Sequence, residues 1–338
     1  GDGVSESEAL GLDQVYLRLS ELYESVQNSI TENVLFTEMK ASWLGMDRIL
    51  NAGMNHQSIE IWALNASPGA LLDDCDLDVA NTDLFSAIYQ SEIGQYGGEP
   101  FSCVVVGFPF EFMSGRGPVY QYLAKIGEFA STPILVDPQL SLLKADNYSV
   151  LDGLENIEIE LDSSLWDIAS ESCGSFLFLT PQSSVVEVRH GTDPGDEVMN
   201  QSLAIFDCPG SVDLIINLME SLVDLRSAVS DFQQNTLDYE VRPVYWFGPR
   251  IVETLQSKGM TVPLCVHPQR PLSFETALPI AGIKGGVSGD KGSGIRPPEL
   301  IGLVQILRIL HKLKEWARDN IGSATSANER VAAINEQI

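Results

Sequence analysis

Residues 101–136 constrain the fold more than any other stretch. The run "FSCVVVGFPF" over 101–110 is short, apolar and β-branched, the composition of a buried central strand. A helical pattern over 117–130 follows, and "TPILVDP" returns as a further strand. Strand, helix, strand in that order predicts an α/β layer with parallel neighbours. Further strands are expected at 155–161, 175–180, 184–189, 203–207 and 261–267, and helices at 211–235 and 249–258. The fold class is α/β: a mixed sheet layer flanked by helices, with an N-terminal helical arm and a long C-terminal helix.

The arm occupies residues 1–53. Leu10, Leu12, Val15, Leu17, Leu19, Leu22 and Val26 stand among Glu, Ser and Gln at spacings of three and four, which predicts an amphipathic helix over 6–29. A second helix is expected over 31–52, with Thr31 as cap, Gly53 as terminator, and Phe36, Met39, Trp43, Met46, Ile49 and Leu50 on one side. In the following "SIEIWALNAS", Ile59, Ile61 and Ala63 alternate with Glu60, Trp62 and Leu64, as in a strand covered on both faces. Residues 69–93 read as helical.

The α/β core is expected over 54–281. The stretch "GIKGGVSGDKGSGIRPP" at 282–298 is a Gly/Pro-rich loop, and 299–338 form a C-terminal helix and tail. That helix, over 299–320, carries one apolar stripe through Leu300, Leu303, Val304, Leu307, Leu310, Lys314 and Ala317. Ile306, Ile309, Leu313 and Trp316 widen the apolar face beyond one core contact. Burial on more than one side is expected, within the chain or against a neighbour.

The 338 residues include 47 acidic and 20 basic side chains, a formal charge of −27. Phosphate backbones are bound through Lys and Arg, so this balance disfavours nucleic acid. Eight of the twenty basic residues lie in the last 55 positions, a basic patch that suits head-to-tail contact between copies or docking of an acidic partner. Five scattered cysteines with no Cys/His cluster give neither a disulfide framework nor a zinc site. Cys103 and Cys265 read as small core residues. No apolar run reaches the length of a membrane span, so no membrane insertion is expected and the setting is read as cytoplasmic.

No catalytic, cofactor-binding or metal-binding residue emerges. Asp73, Asp74, Asp76 and Asp78 lack the Gly and Glu of an EF-hand and read as a solvated helix start. Lys291 in "GGVSGDKGS" is followed by Gly292, so lysine and hydroxyl are not presented together as a phosphate loop requires. His267 beside Cys265 is the nearest approach to a base and thiol, but it has no identifiable third partner and reads as structural. A small-molecule hydrolase or a nucleotide-binding protein remains the rival class to an assembly protein.

Three blocks carry a resemblance. They are "TEMKASWLGMDRILNAG" followed by "IEIWALNAS", "DLFSAIYQSEIGQYGGEPFSCVVVGFPFEF", and "LVQILRILHKLKEWARDNIGS". Together they resemble the large subunit of the type VI secretion contractile sheath, known as TssC, VipB or ImpC. The first block carries Trp43 and Gly45. The second carries the most recognisable passage, Tyr96, Gly97, Gly98, Glu99, Pro100 and Phe101. Adjacent glycines before Glu-Pro predict a tight turn with at least one positive φ, and Glu99 is placed to cap or pair with the late basic helix, for example at Arg318.

The resemblance implies a structural subunit, not an enzyme, in a tubular or ring-like cytoplasmic assembly. Its implied partners are further copies of itself, a sheath small subunit and an inner-tube protein. Arg308, Lys312 and Arg318 are the expected assembly contacts, with Leu303, Leu307, Leu310 and Leu313 buried. The family usually continues past the Ile-Gly-Ser helix with strands that join an intersubunit sheet, while this sequence ends at Ile338. A shortened, non-contractile paralogue serving as adaptor or assembly module is therefore the alternative expectation.

Overall fold

A computed structural model describes residues 6–31, 33–54, 58–107, 117–138, 163–181, 183–189, 203–224, 239–263, 274, 277–282 and 298–320. The parallel layer predicted from residues 101–136 is present. Strand β1 (Val104–Val105) pairs with β2 (Ile134–Val136), and β2 pairs with β3 (Leu177–Leu179), all parallel, in the order β1-β2-β3. Helix α4 (Gly117–Ala130) makes the crossover between the first two strands.

Both faces of this layer are buried, and residues two apart share a face. Ile134, Val136, Leu177 and Leu179 point into a core built with Val119, Tyr120, Leu123 and Ile126 of α4. The short helix α5 (Ser163–Ser170) adds Leu165 and Ile168, and α7 (Pro249–Ser257) adds Ile251 and Leu255. On the opposite face, Leu135 and Phe178 meet Leu214, Ile215 and Leu218 of α6 (Gly210–Asp224) and Leu300, Leu303, Val304 and Leu307 of α8 (Leu300–Asp319). The result is helix, sheet, helix in three layers.

A second sheet is antiparallel, in the order β5-β4-β6, from β4 (Ser184–Arg189), β5 (Leu203–Cys208) and β6 (Tyr239–Pro243). The first two strands lie where the sequence placed them; β6 carries no strong signal in "YEVRP" and was not expected. The expected strand at 155–161 lies outside the described residues, as do residues 264–267 of the one expected at 261–267. Of the latter, 261–263 are not a strand, and Met260 instead bridges Leu179 in parallel. Helix α6 ends its described part at Asp224, with 225–235 of the expected helix outside the described residues.

The arm departs from expectation in instructive ways. Helix α1 is Glu6–Thr31 and α2 is Val34–Met54. Asn33, not Thr31, caps α2: the Phe36 N–H donates to Asn33 Oδ1 at 3.2 Å. Gly53 does not stop the helix; it lies under Ile61, whose Cδ1 would meet a Cβ there at 2.5 Å. The expected apolar face holds only in part: Phe36, Met46 and Ile49 are partly buried, with Ile49 packed on the second core. Ala41, Gly45 and Arg48 are buried, while Met39, Trp43 and Leu50 are exposed. The reason is proximity: α2 runs so close to α6 that a Cβ on Gly45 would lie 3.1 Å from Val212 Cγ2, so small residues must face inward.

Residues 58–66 belong to no strand among the described residues, and Trp62 and Leu64 are exposed. The helical stretch over 69–93 is broken into α3 (Pro68–Cys75), a 3₁₀ turn (Val79–Asn81), one α-turn (Asp83–Phe85) and a π-turn (Ser86–Gln90). The acidic stretch therefore sits at the end of α3, not at a helix start. Asp74 explains the break, since its carboxylate accepts from the Leu84 N–H at 3.1 Å and from the Tyr122 hydroxyl at 3.0 Å. It caps the next helical turn instead of prolonging its own helix.

Leu307 lies in the core between α8 and the parallel sheet. Leu307→Ala should lower folding stability by about 2–5 kcal/mol, read from the denaturant midpoint at unchanged m-value.

Candidate assembly site

Helix α8 joins the core to the glycine turn through a polar stripe. His311, Lys314 and Arg318 follow Leu307 at spacings of four, three and four on its inner side. His311 is buried, and its Nε2 lies 3.2 Å from the Ala130 carbonyl oxygen at the end of α4. Burial holds this imidazole below its ordinary value, so it serves as a neutral donor to that carbonyl. Lys314 Nζ donates to Ser131 Oγ at 2.9 Å. Ser131 itself has φ 54°, so this contact secures a left-handed residue just after α4. Desolvation lowers the Lys314 ammonium from its usual range.

Arg318 closes the stripe on the turn carried by the second resembling block. Its Nη1 donates to the carbonyl oxygens of Glu92, at 3.0 Å, and Gly98, at 3.2 Å, with Ile93 O at 3.4 Å. Within the turn, Gly97 has φ 82°, the left-handed geometry expected of one of the two glycines. Gly98 faces a different constraint, because a Cβ there would overlap the Glu92 carbonyl. The Glu99 N–H donates to Glu92 Oε2 at 2.9 Å. Arg318 thus binds backbone carbonyls beside Glu99, a pairing with main chain instead of the carboxylate. Pro100 is partly buried, Phe101 packs on the first core, and Tyr96 is 83% exposed.

The three basic residues expected to face a neighbour therefore divide. Arg318 turns inward onto the turn. Lys312 is exposed and pairs with Glu315 at 2.8 Å, and Arg308 is partly exposed. The leucines divide as well: Leu303 and Leu307 are buried, Leu313 is partly exposed, and Leu310 is exposed. Ile306 and Ile309 are exposed at 59% and 48%. The wide apolar face anticipated for this helix is real, and its outer half is open in the single chain.

Trp43 and Gly45 lie on different sides of α2. Trp43 is exposed, whereas Gly45 is the contact with Val212 described above. One turn on, buried Arg48 forms an ion pair with Asp213 of α6 and donates to Ser184 Oγ of β4 at 3.2 Å. Sequence reading missed Arg48, because an arginine one turn from a glycine gives no hint of burial. At the C-terminal end of β2, Asp137 accepts from the Ser211 N–H at 3.2 Å and from Ser211 Oγ at 2.5 Å, at the start of α6. Burial raises this carboxyl to about 7, opposed by the Ser211 and Gly210 hydrogen bonds.

Among the described residues no nucleophile and base are brought together at this site. Burial pushes the Cys103 thiol to about 12 and those of Cys75, Cys173 and Cys208 to about 11, away from the thiolate that nucleophilic chemistry uses. Cys103 packs on the second core. Cys265, His267 and Lys291 lie outside the described residues. Among the described residues no helix is long and apolar enough to cross a membrane.

Two outcomes are expected from this geometry. The folded chain keeps a proton on Asp137 that the unfolded chain gives up above its ordinary value of 3.8. Its contribution to stability is thus full at low pH and declines as pH rises from about 4 to about 7. Asp137→Asn should remove that decline, so the variant's denaturation midpoint relative to the parent should rise between pH 4.5 and pH 8. A gap that is flat or falls over that range would contradict a protonated Asp137. In the turn, Gly97→Val should cost about 1–3 kcal/mol through backbone strain, while Gly98→Val should displace the Arg318 contact, read as loss of hydrogen-exchange protection near residues 92–98.

Comparison with known proteins gives this arrangement a likeness. Residues 13–166 match the VipB family model, described as EvpB/VC_A0108, tail sheath N-terminal domain. The matched span runs from α1 through the parallel strands β1 and β2. The chain is also 22% identical over 204 residues to the type VI secretion system sheath protein TssC1 of Pseudomonas aeruginosa. That alignment covers 57% of this chain and 41% of the relative, so the chain spans less than half of that protein's length. The similarity is thus to the TssC-like sheath large subunits, carried by the tail sheath N-terminal domain match at residues 13–166, somewhat under half of this chain.

Proposed function

We propose that this chain is a structural sheath subunit that assembles with further copies and a small-subunit-like partner into a tube or ring around an inner-tube protein, in the cytoplasm. The observation that carries the reading is the sheath-domain match over residues 13–166 on a chain whose helices α1 and α8 keep apolar faces open. Large exposed apolar faces on a folded chain mark interaction sites. Arg308 and Lys312 flank the open face of α8 as orienting charges, while Arg318 supports them indirectly by fixing the helix to the turn. The domain division at 1–53, 54–281, 282–298 and 299–338 is part of this reading, with the first and last segments as the assembling ends.

Co-expression with a small-sheath-subunit-like protein from the same organism, followed by negative-stain microscopy and light scattering, tests it. Rings, tubes or a defined complex are expected. Arg308→Glu with Lys312→Glu should weaken that assembly and flatten its salt dependence without changing the melting temperature, because exposed charges orient partners more than they stabilise folds. A chain that stays a strict monomer with the partner and turns over a substrate would overturn the reading.

A further inference from the structure

The carboxyl ends of β2 and β3 close on a buried polar cluster that has no part in the open faces of α1 and α8. Asp137 follows Val136 on β2, and Thr180 follows Leu179 on β3. Val136 and Leu179 are paired in register, and the Thr180 N–H donates to the Val136 carbonyl oxygen at 3.0 Å, so the ladder continues one step further. Successive side chains of a strand alternate between its faces. Val136 and Leu179 point into the first core, so Asp137 and Thr180 point the other way, with Leu135 and Phe178, toward α6. Asp137 bears this out by accepting from Ser211 at the start of that helix.

The first turn of α6 also contributes Asp213, whose charge is felt by Asp137. Arg48 of α2 takes one oxygen of Asp213 and reaches Ser184 Oγ of β4 as well. Two oxygens of the cluster are left over. Thr180 is 0% exposed and the Asp213 side chain 5%, and neither Thr180 Oγ1 nor Asp213 Oδ2 has a hydrogen-bond partner among the described residues. An oxygen buried without a partner loses the hydration it had in the unfolded chain, and folded interiors rarely leave one so.

The chemistry of these two atoms selects what satisfies them. A carboxylate oxygen only accepts, whereas a threonine hydroxyl also has a proton to donate. Water accepts from the hydroxyl and donates to Asp213 Oδ2, and its second proton serves the Asp137 carboxyl. About three hydrogen bonds is the ordinary complement of an internal water. A metal ion suits the cluster less well, because the N–H end of α6 and the Arg48 guanidinium already present positive charge to these carboxyl groups. An anion would meet two carboxyl groups.

We propose that the carboxyl ends of β2 and β3 bind an internal water molecule, which accepts from the Thr180 hydroxyl and donates to Asp213 Oδ2 and to the Asp137 carboxyl. Asp213 is also the partner of Arg48, so the water links the parallel sheet to the joint between α2 and α6. The arm is thereby tied to the core through a solvent molecule as well as through an ion pair.

A high-resolution crystal structure of the full chain reads the site directly. One density peak is expected about 2.7–3.2 Å from both Thr180 Oγ1 and Asp213 Oδ2. A missing peak, a peak on only one of the two oxygens, or a Thr180 hydroxyl bonded directly to protein overturns the proposal. So does a peak with the shorter distances and extra ligands of a metal ion. Thr180→Val is the companion measurement, since it removes the hydroxyl and nearly keeps the shape. Its urea midpoint should fall at unchanged m-value, because the water loses a partner. A midpoint that holds or rises shows that the hydroxyl had no partner to lose, which also overturns the proposal. Where the variant does not fold, the crystal structure of the parent chain decides alone.

Discussion

The parallel pairing of residues 134–136 with 104–105 and 177–179 dictates much of what surrounds it. A parallel sheet of three short strands has no solvent-facing side to spare, so each face must be roofed by helices. Helix α4 is the obligatory crossover and roofs one face with α5 and α7; α6 and α8 roof the other through Leu214, Leu218, Leu303 and Leu307. That commitment fixes which side of α8 looks inward. Once the inner side is set, His311, Lys314 and Arg318 arrive at the carbonyls and hydroxyl that end α4 and line the 92–98 turn. The outward side is then determined by exclusion.

The junction between arm and core rests on a different kind of contact. Helix α2 meets α6 through Gly45, which contributes closeness, and through Arg48, which contributes an ion pair with Asp213 and a hydrogen bond to Ser184 of β4. A buried pair of this sort adds little net stability over a well-packed apolar alternative, yet breaking it strands a charge. Asp213 Oδ2 is buried without a hydrogen-bond partner among the described residues, and Asp137 lies at the start of the same helix. Burial is the main reason the Asp137 carboxyl is raised, and the neighbouring Asp213 charge adds to it in a smaller way.

The sequence made the parallel layer legible because the signal is local: apolar β-branched runs separated by a crossover of helical length. It also made the turn at Gly97 and Gly98 legible, since φ restrictions act within one residue. Strand β6 was not legible, as "YEVRP" has too little apolar content and owes its strand state to pairing with β4. The inward face of α2 was misread for a related reason. Size patterning favoured Trp43 and Met39, but tertiary proximity at Val212 selected Gly45 and Arg48. Arg318 was recognised as a partner of the glycine turn, while the choice of carbonyls over the Glu99 carboxylate depends on side-chain placement that spacing does not encode. The acidic run at 73–78 shows the same limit, because only the fold brings Asp74 to the Leu84 N–H and the Tyr122 hydroxyl.

Helix α8 belongs at once to the interior of one subunit and to its outer surface. Any molecule that settles on its outer side binds the folded chain and not the unfolded one, so by mass action it raises the free energy of opening that helix, by about 2.7 kcal/mol at a hundredfold excess over its dissociation constant. The local opening of α8 would release the 92–98 turn and the end of α4 together, because one stripe of three side chains holds both. Occupancy and lifetime are thereby coupled. A molecule on the outer side of α8 would therefore hold the turn and the end of α4 without touching either.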